Sequence, residues 1–379
     1  MNFPQDRVRI TTSTRRRKGV PQMKWRVAAL FPLILILFLP LAPKTSQGEW
    51  VGQSRCLVCH GKREYRFYKK GGYAKNLYVS LEELRASVHK EKFCSDCHTD
   101  VVELPHRGTP SRVSCTTCHY KGNPEGAPQL DAYLEYERSI HGLEAKEGNP
   151  DAPLCQDCHG SHNVRPPEDP LSTVNKRNVA RTCGKCHIDI YAEFRTSIHG
   201  VAVARGVEDA PSCPDCHGEH NILEPTNPES TVYPSHVPTQ CSKCHAREAI
   251  REKYGIKAEP VKTYRESFHG VAIEFGARTV ANCASCHGTH DIRPPEDPLS
   301  SVNPENIPKT CGKCHPGATP KFAEGKIHID PTKKEAGAVY YVASFFKYLT
   351  ITTMLGLICH ILLDLYGRVR RMRRKERMR

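Results

Sequence analysis

The pentapeptide Cys-x-x-Cys-His occurs nine times between Cys56 and His315 and uses 18 of the 19 cysteines. The copies are Cys56/Cys59/His60, Cys94/Cys97/His98, Cys115/Cys118/His119, Cys155/Cys158/His159 and Cys183/Cys186/His187, followed by Cys213/Cys216/His217, Cys241/Cys244/His245, Cys283/Cys286/His287 and Cys311/Cys314/His315. Two thiols at this spacing can form thioethers with the vinyl groups of a haem, and the next histidine can ligate its iron. One such motif is moderate evidence for covalent haem; nine with the same closing His are strong evidence. Structural zinc also uses paired cysteines, but it needs four ligands per ion and has no use for a His fixed at the fifth place. A disulfide framework would show varied spacings rather than one repeated pentapeptide. The remaining thiol, Cys359, sits in an apolar run and reads as a buried small hydrophobe.

Each motif supplies one axial ligand, so the other must come from elsewhere. Methionine is the usual alternative to histidine. The five Met are residues 1, 23, 354, 372 and 378, none of them in the body that carries the motifs. Eleven His lie outside the motifs. Five close helix-like segments: His89, His141, His199, His269 and His328. Three stand three residues beyond a motif His: His162, His220 and His290, in His-Gly-x-His. His106 takes the roughly equivalent place eight residues past His98. These nine equal the motifs in number. His236 is left over, and Asn178 and Asn306 hold its place in sister segments, so it reads as a surface residue. Two imidazoles per iron leave no open coordination position and favour low potentials. Such sites suit electron passage rather than bond chemistry, and no residue is assigned a catalytic role.

The elements that hold these residues repeat. Three units run from Ser139-Ile140-His141-Gly142 to His187, from Ser197-Ile198-His199-Gly200 to His245, and from Ser267-Phe268-His269-Gly270 to His315. In each, the lone His precedes the first Cys by 14 residues and the two motifs start 28 residues apart. A degenerate unit with His89, Cys94 and Cys115 precedes them, and Cys56 stands alone at the front. Leu81, Leu84 and Val88, then Tyr133, Tyr136 and Ile140, then Tyr191, Phe194 and Ile198 fall on one helical face. This spacing predicts one helix leading into each lone His. Residues 166–175 read as irregular loop. At roughly 32 residues per motif the chain cannot build an apolar core around each cofactor. The expected fold class is mostly α/irregular: short helices and long loops around stacked haems, little sheet, and a single C-terminal transmembrane helix.

The expected segments are a signal peptide with a long basic n-region (1–48), a three-haem region (49–130), dihaem repeats (131–187, 188–245, 246–315), a linker with the last distal His (316–338), a transmembrane helix (339–367) and a basic cytoplasmic tail (368–379). The formal charge of +14 comes from the ends. Residues 1–26 and 368–379 each hold eight bases and one acid, which leaves 39 of each sign between them. Basic residues flanking apolar segments are a topology signal rather than a nucleic-acid footprint. Val27 to Ala42 is a short apolar stretch behind Lys24 and Arg26, the plan of an export signal. Val339 to Tyr366 is long enough to cross a bilayer, and the cationic tail after it places the C-terminus in the cytoplasm and the motif-bearing body outside. His360 lies inside this segment with Asp364 four residues on. It is a candidate ligand for a b-type haem shared with a partner, a quinone-site residue, or a helix-packing hydrogen bond.

The repeated Ser-Ile-His141-Gly and Cys155-Gln-Asp-Cys158-His159-Gly-Ser-His162 pattern resembles the multihaem c-type cytochromes of anaerobic respiratory bacteria, over roughly residues 50–330. The resemblance implies nine covalent haems c with bis-histidine ligation, packed into a wire in the periplasm. It also implies electron transfer between a quinone-linked membrane subunit, such as a cytochrome b, and periplasmic or outer-membrane cytochromes. Quinol-oxidising members carry an N-terminal anchor, whereas this chain has its anchor at the other end. A reductase or oxidase of a small nitrogen or sulfur compound is the alternative, and it requires one five-coordinate haem. The Lys-ended motif of cytochrome c nitrite reductase does not occur.

Overall fold

The computed structural model describes residues 51–68, 74–256, 259–323 and 328–378. The export signal expected over 1–48 lies outside them. The described chain is helical and irregular, and its sheet is one antiparallel pair, Arg66–Tyr68 with Ala74–Asn76. All but one of its helices are ten residues long or shorter, joined by turns and loops, and residues 166–175 are irregular as expected.

The structure revises the helix expected before each lone His. Ala132–Arg138 ends at Ser139 and a second helix, Ile140–Lys146, starts at once. Ile188–Thr196 and Ile198–Ala204 meet at Ser197 in the same way, and Pro260–Arg265 and Phe268–Glu274 are separated at Ser267. The three serines are extended, with ψ near 161–162°. Each donates its hydroxyl to a carbonyl of the first helix: Tyr136 at 2.6 Å, Phe194 at 2.7 Å and Tyr264 at 2.6 Å. Each accepts from the N–H of the Gly three residues on, which caps the second helix. A Cβ on Gly142, Gly200 or Gly270 would land on those same carbonyls. Ser-x-His-Gly is therefore a helix elbow that sets the His on the first turn of the second helix. The apolar stripe misled because it runs through a break that only the Ser reveals. His89 follows the same serine, Ser87, on a turn rather than a helix, and His328 lies in irregular chain.

The first motif of each full unit is a one-turn helix: Cys155–His159, Cys213–His217 and Cys283–His287. Gly160, Gly218 and Gly288 end them with φ of 83–85°, which only Gly adopts freely. The loop that follows is pinned by hydroxyls, those of Ser172 and Ser300 buried. Ser172 and Ser300 bond the carbonyls of Arg165 and Arg293, each at 3.1 Å. Thr173 and Thr231 bond those of Cys158 and Cys216, each at 2.6 Å. Units are strapped to one another by backbone. The N–H groups of Val88, Ile140 and Ile198 donate to the carbonyls of Val164, Ile222 and Ile292 in the next unit, at 2.8–2.9 Å.

Among the described residues the buried apolar set is small: Ala152, Val179, Ala180, Val203, Ala210, Ile250, Val261 and Tyr264. The largest fully buried side chains are serines. A body of this length ordinarily buries an aliphatic and aromatic core, and here the space between elements is lined by Cys and His instead.

The last element, Ala338–Arg377, is 40 residues long, with a mean hydropathy of 1.7 in its apolar window and no part of that window buried. Its length and composition suffice to cross a membrane. Thr350 and Thr353 return their hydroxyls to carbonyls one turn back, at 2.8 Å each. Cys359 is exposed on this helix, not buried as expected, because none of the described residues covers it. Asp364 pairs with Arg368 at 2.8 Å. A chain ending at Gly337 is expected to move from the membrane fraction to the soluble fraction; its retention on membranes washed at high salt would show that this helix is not the anchor.

Candidate haem-binding sites

The structure sets each of the nine motif histidines opposite one of the nine other histidines singled out above. Ring centroids are 6.1 Å apart for His60–His106, 6.3 Å for His98–His162, 5.9 Å for His119–His89, 6.0 Å for His159–His220 and 6.1 Å for His187–His141. They are 6.0 Å apart for His217–His290, 6.2 Å for His245–His199, 6.2 Å for His287–His328 and 6.1 Å for His315–His269. Two metal–nitrogen bonds of about 2.0 Å, each with about 1.1 Å from nitrogen to ring centre, span roughly 6.2 Å. Each pair thus leaves the gap that one metal ion with two axial imidazoles fills. Among the described residues no three or more His, Cys, Asp or Glu side chains converge on a metal position. Two protein ligands suffice only where a macrocycle supplies the rest, so the donor set fits haem.

The pairings follow two rules that spacing alone did not reveal. The second motif of a unit is closed within its own unit by the elbow His, as in His187 with His141, His245 with His199 and His315 with His269. The first motif is closed from the next unit by the His of His-Gly-x-His, as in His98 with His162, His159 with His220 and His217 with His290. The solitary Cys56 motif obeys the second rule, since His106 of the following unit meets His60 at an interplanar angle of 11°. No unit follows the third, and the C-terminal His328 meets His287 in its stead.

Several rings are oriented through Nδ1. His60 Nδ1 meets the Leu77 carbonyl at 2.9 Å and His106 Nδ1 that of Gly108 at 3.2 Å. Donation from these nitrogens leaves Nε2 to face the partner ring. Burial, reinforced by the facing motif imidazole, holds His89, His141 and His269 below the ordinary histidine range. His199 is pushed down to about 4 by burial and by His245. The neutral ring so favoured is the form that binds metal. Burial likewise pushes the thiols of Cys158 and Cys216 up to about 11.

The sites stand in a single file in sequence order. Thiols of consecutive motifs lie within hydrogen-bonding reach at Cys56/Cys94, Cys115/Cys155, Cys183/Cys213 and Cys241/Cys283. The alternate junctions are made by Cys97 beside Cys118, Cys158 beside Cys183, Cys216 beside Cys241 and Cys286 beside Cys311. At the last site, His269 shares a cleft of about 310 Å³ with Val339, the second residue of the long apolar helix.

Four motif thiols are exposed, and each is the second cysteine of its pair. They are Cys59, Cys97, Cys186 and Cys314; the other fourteen motif thiols, Cys244 among them, are half-buried. The cause is local. The helices Val179–Cys183 and Ile307–Gly312 stop within the first residues of their motifs, so Cys186 and Cys314 fall on the turns that follow and face outward. Cys59 sits in Val51–His60, at the front of the file. Cys244 stays helical in Val237–His245 and stands near Cys216 of the preceding motif, as Cys314 stands near Cys286. All eighteen motif cysteines are free thiols. Exposure therefore does not separate the first cysteines from most of the second, and the attaching role of all eighteen rests on the motif spacing.

His236 is exposed, the surface residue expected, and its ring is held to the backbone. Its Nδ1 meets the Ser230 carbonyl at 2.8 Å, where Asn178 and Asn306 donate to Ser172 and Ser300 at 2.8 and 2.9 Å. Asp364, four residues past His360, has Arg368 as its partner. The elbow serines and glycines carry no ligand chemistry, and their recurrence beside the lone His was the available signal of a structural role. No family model matches the chain, and no curated protein is detectably similar to it.

Proposed function

We propose that the chain is a membrane-anchored, nine-haem c-type cytochrome that carries electrons and does not itself transform a substrate. The observation that carries this reading is the set of nine opposed imidazole pairs, each with one motif His and each at the span of one iron. Haem bound there supplies reversible one-electron exchange at iron. The chain's own residues attach it through the paired thiols, fix both axial rings and keep them neutral. They also space consecutive sites closely enough for their cysteines to touch. A reductase or oxidase would need a motif without a second imidazole, and His106 opposite His60 provides one at the motif where it was least expected.

The apolar helix and its basic tail support a haem body in the periplasm with the C-terminus in the cytoplasm. Electrons would pass between a quinone-linked membrane subunit, such as a cytochrome b, and periplasmic or outer-membrane cytochromes. The cleft that His269 shares with Val339 supports exchange with that membrane partner at the Cys311 end of the file. His360, with its Asp neighbour engaged elsewhere, remains the candidate ligand for a b-type haem shared with the partner. Intact-mass measurement of the mature protein is expected to show nine covalent haems, and the ferric protein to be wholly low-spin. Fewer than nine, or a high-spin signal worth one haem per chain, would overturn the reading.

A further inference from the structure

The helix before each elbow carries one position, four residues ahead of the elbow serine, that serves the cross-unit site. It is Glu83 before Ser87, Glu135 before Ser139, Glu193 before Ser197 and Thr263 before Ser267. Glu193 Oε2 lies 3.9 Å from Nδ1 of His290, the ring opposite His217. Thr263 Oγ1 lies 2.9 Å from Nδ1 of His328, the ring opposite His287. Glu83 holds the corresponding place in the unit whose first motif is closed by His162, opposite His98. Glu135 holds the corresponding place in the unit whose first motif is closed by His220. Three units thus offer a carboxylate where the C-terminal unit offers a neutral hydroxyl.

The chemistry differs sharply between the two. Thr263 can donate its proton to the Glu259 carbonyl at 2.8 Å and accept from His328 Nδ1–H, which orients the ring without adding charge. Thr263 is 2% exposed, so this bond is shielded from water. Asp330, two residues past His328, is taken up by Lys262 at 3.7 Å and Lys333 at 4.0 Å. A carboxylate facing Nδ1–H makes an axial imidazole a stronger donor, and its charge stabilises ferric over ferrous iron. At 3.9 Å Glu193 is too far for a direct hydrogen bond in this arrangement, and it acts through its field.

We infer that this position is a redox-tuning residue: Glu83, Glu135 and Glu193 hold the sites of His98, His159 and His217 at lower potential, and Thr263 leaves the site of His287 the highest of the four. The inference rests on the proposed haem occupancy and adds to it a gradient within the file. The site of His287 stands next to the one that shares its cleft with the long apolar helix, so the step falls at that end.

The test is a potentiometric titration of the full-length holoprotein in detergent, followed by visible absorption and by magnetic resonance of the low-spin ferric signals. In Glu193→Gln, one component of nine is expected to gain about tenfold in its reduced-to-oxidised ratio at fixed potential, which is about 59 mV for a one-electron couple. Thr263→Glu is expected to shift one component the opposite way by a similar factor. Thr263→Val, which removes the hydrogen bond but adds no charge, should move it less. Should Thr263→Glu fail to fold, the exposed Glu83 and Glu193 carry the test through their Gln variants. Glu193→Gln protein that keeps nine low-spin haems with every component unmoved, or with all nine moved equally, overturns the tuning role and leaves the proposed function standing. A haem count below nine in the unsubstituted protein overturns the proposed function first.

Discussion

In His220→Ala protein one ninth of the haem is expected to turn high-spin, and the haem affected is the one held by Cys155 and Cys158. His220 lies three residues past His217 in sequence, so proximity along the chain would assign it to the Cys213 motif. Its ring instead stands 6.0 Å from that of His159, one unit back, at an interplanar angle of 7°. Removing it opens one coordination position there and leaves His217 facing His290. The assignment can be made by subtraction. Combined with Cys155→Ala and Cys158→Ala, which delete the affected haem, the high-spin signal should vanish. Combined with Cys213→Ala and Cys216→Ala, it should persist. The reverse result would mean that units close their own first motifs and that the cross-unit rule is wrong. A second effect follows from the same geometry. Ile222, two residues past His220, accepts the strap from the Ile140 N–H at 2.9 Å, and the His220–His159 pair is its neighbour. Losing the pair is expected to weaken the junction between the first and second units, seen as faster amide exchange at Ile140 with little change at Ile198, whose strap runs to Ile292.

That cross-unit pairing marks where the sequence was legible and where it was not. Ligand identity is a counting problem, and the counts close: nine motifs and nine repeated or equivalent histidines, with no methionine in the body to compete. Partner identity is a problem in three dimensions. His162, His220 and His290 lie close in sequence to one motif histidine and reach another, because a glycine with φ of 83–85° turns the chain outward straight after the motif. The glycine is visible in His-Gly-x-His, but the direction in which it sends the chain is not. The elbow shows the same limit. Tyr133, Tyr136 and Ile140 keep a helical spacing, yet Ser139 stops the helix because its side chain satisfies a carbonyl behind it and an N–H ahead of it. Periodicity counts side chains on a face and does not register that a capping residue has ended one helix and begun another. The motif spacing has a similar blind spot: it treats Cys183 and Cys186 alike, although the helix ends between them and turns the second thiol to solvent. His236 is exposed as expected, but the sequence did not show that it takes over the bond of Asn178 and Asn306: the three meet the equivalent carbonyls of Ser230, Ser172 and Ser300. The carboxylate and hydroxyl before each elbow could not be read at all, since the ring that each serves comes from another unit or from the C-terminal segment.

The elbow makes the strongest stability prediction. Gly200→Ala is expected to destabilise the protein by about 1–3 kcal/mol, the cost of overpacking a site that cannot yield. A Cβ there would collide with the Phe194 carbonyl and with the Arg195 Cα, both backbone, so no side-chain rotation relieves it. The second helix must then pivot away from the first, and His199, the second residue of that helix, moves with it. Loss of alignment with His245 should appear as a high-spin fraction of up to one ninth of the haem, together with a lowered thermal midpoint. Gly142→Ala and Gly270→Ala should act alike at the His141–His187 and His269–His315 pairs, because a Cβ meets the Tyr136 and Tyr264 carbonyls in the same way. The control is Gly312→Ala, inside the last motif. A Cβ there meets nothing within 4 Å, and the corresponding place in other motifs holds Gln156, Pro214 or Ala284. Equal stability and spin state in Gly200→Ala and Gly312→Ala would refute the elbow as the device that aims the axial ring. A loss confined to the elbow glycines would show that the repeated Ser-x-His-Gly owes its glycine to the crossing of two backbones.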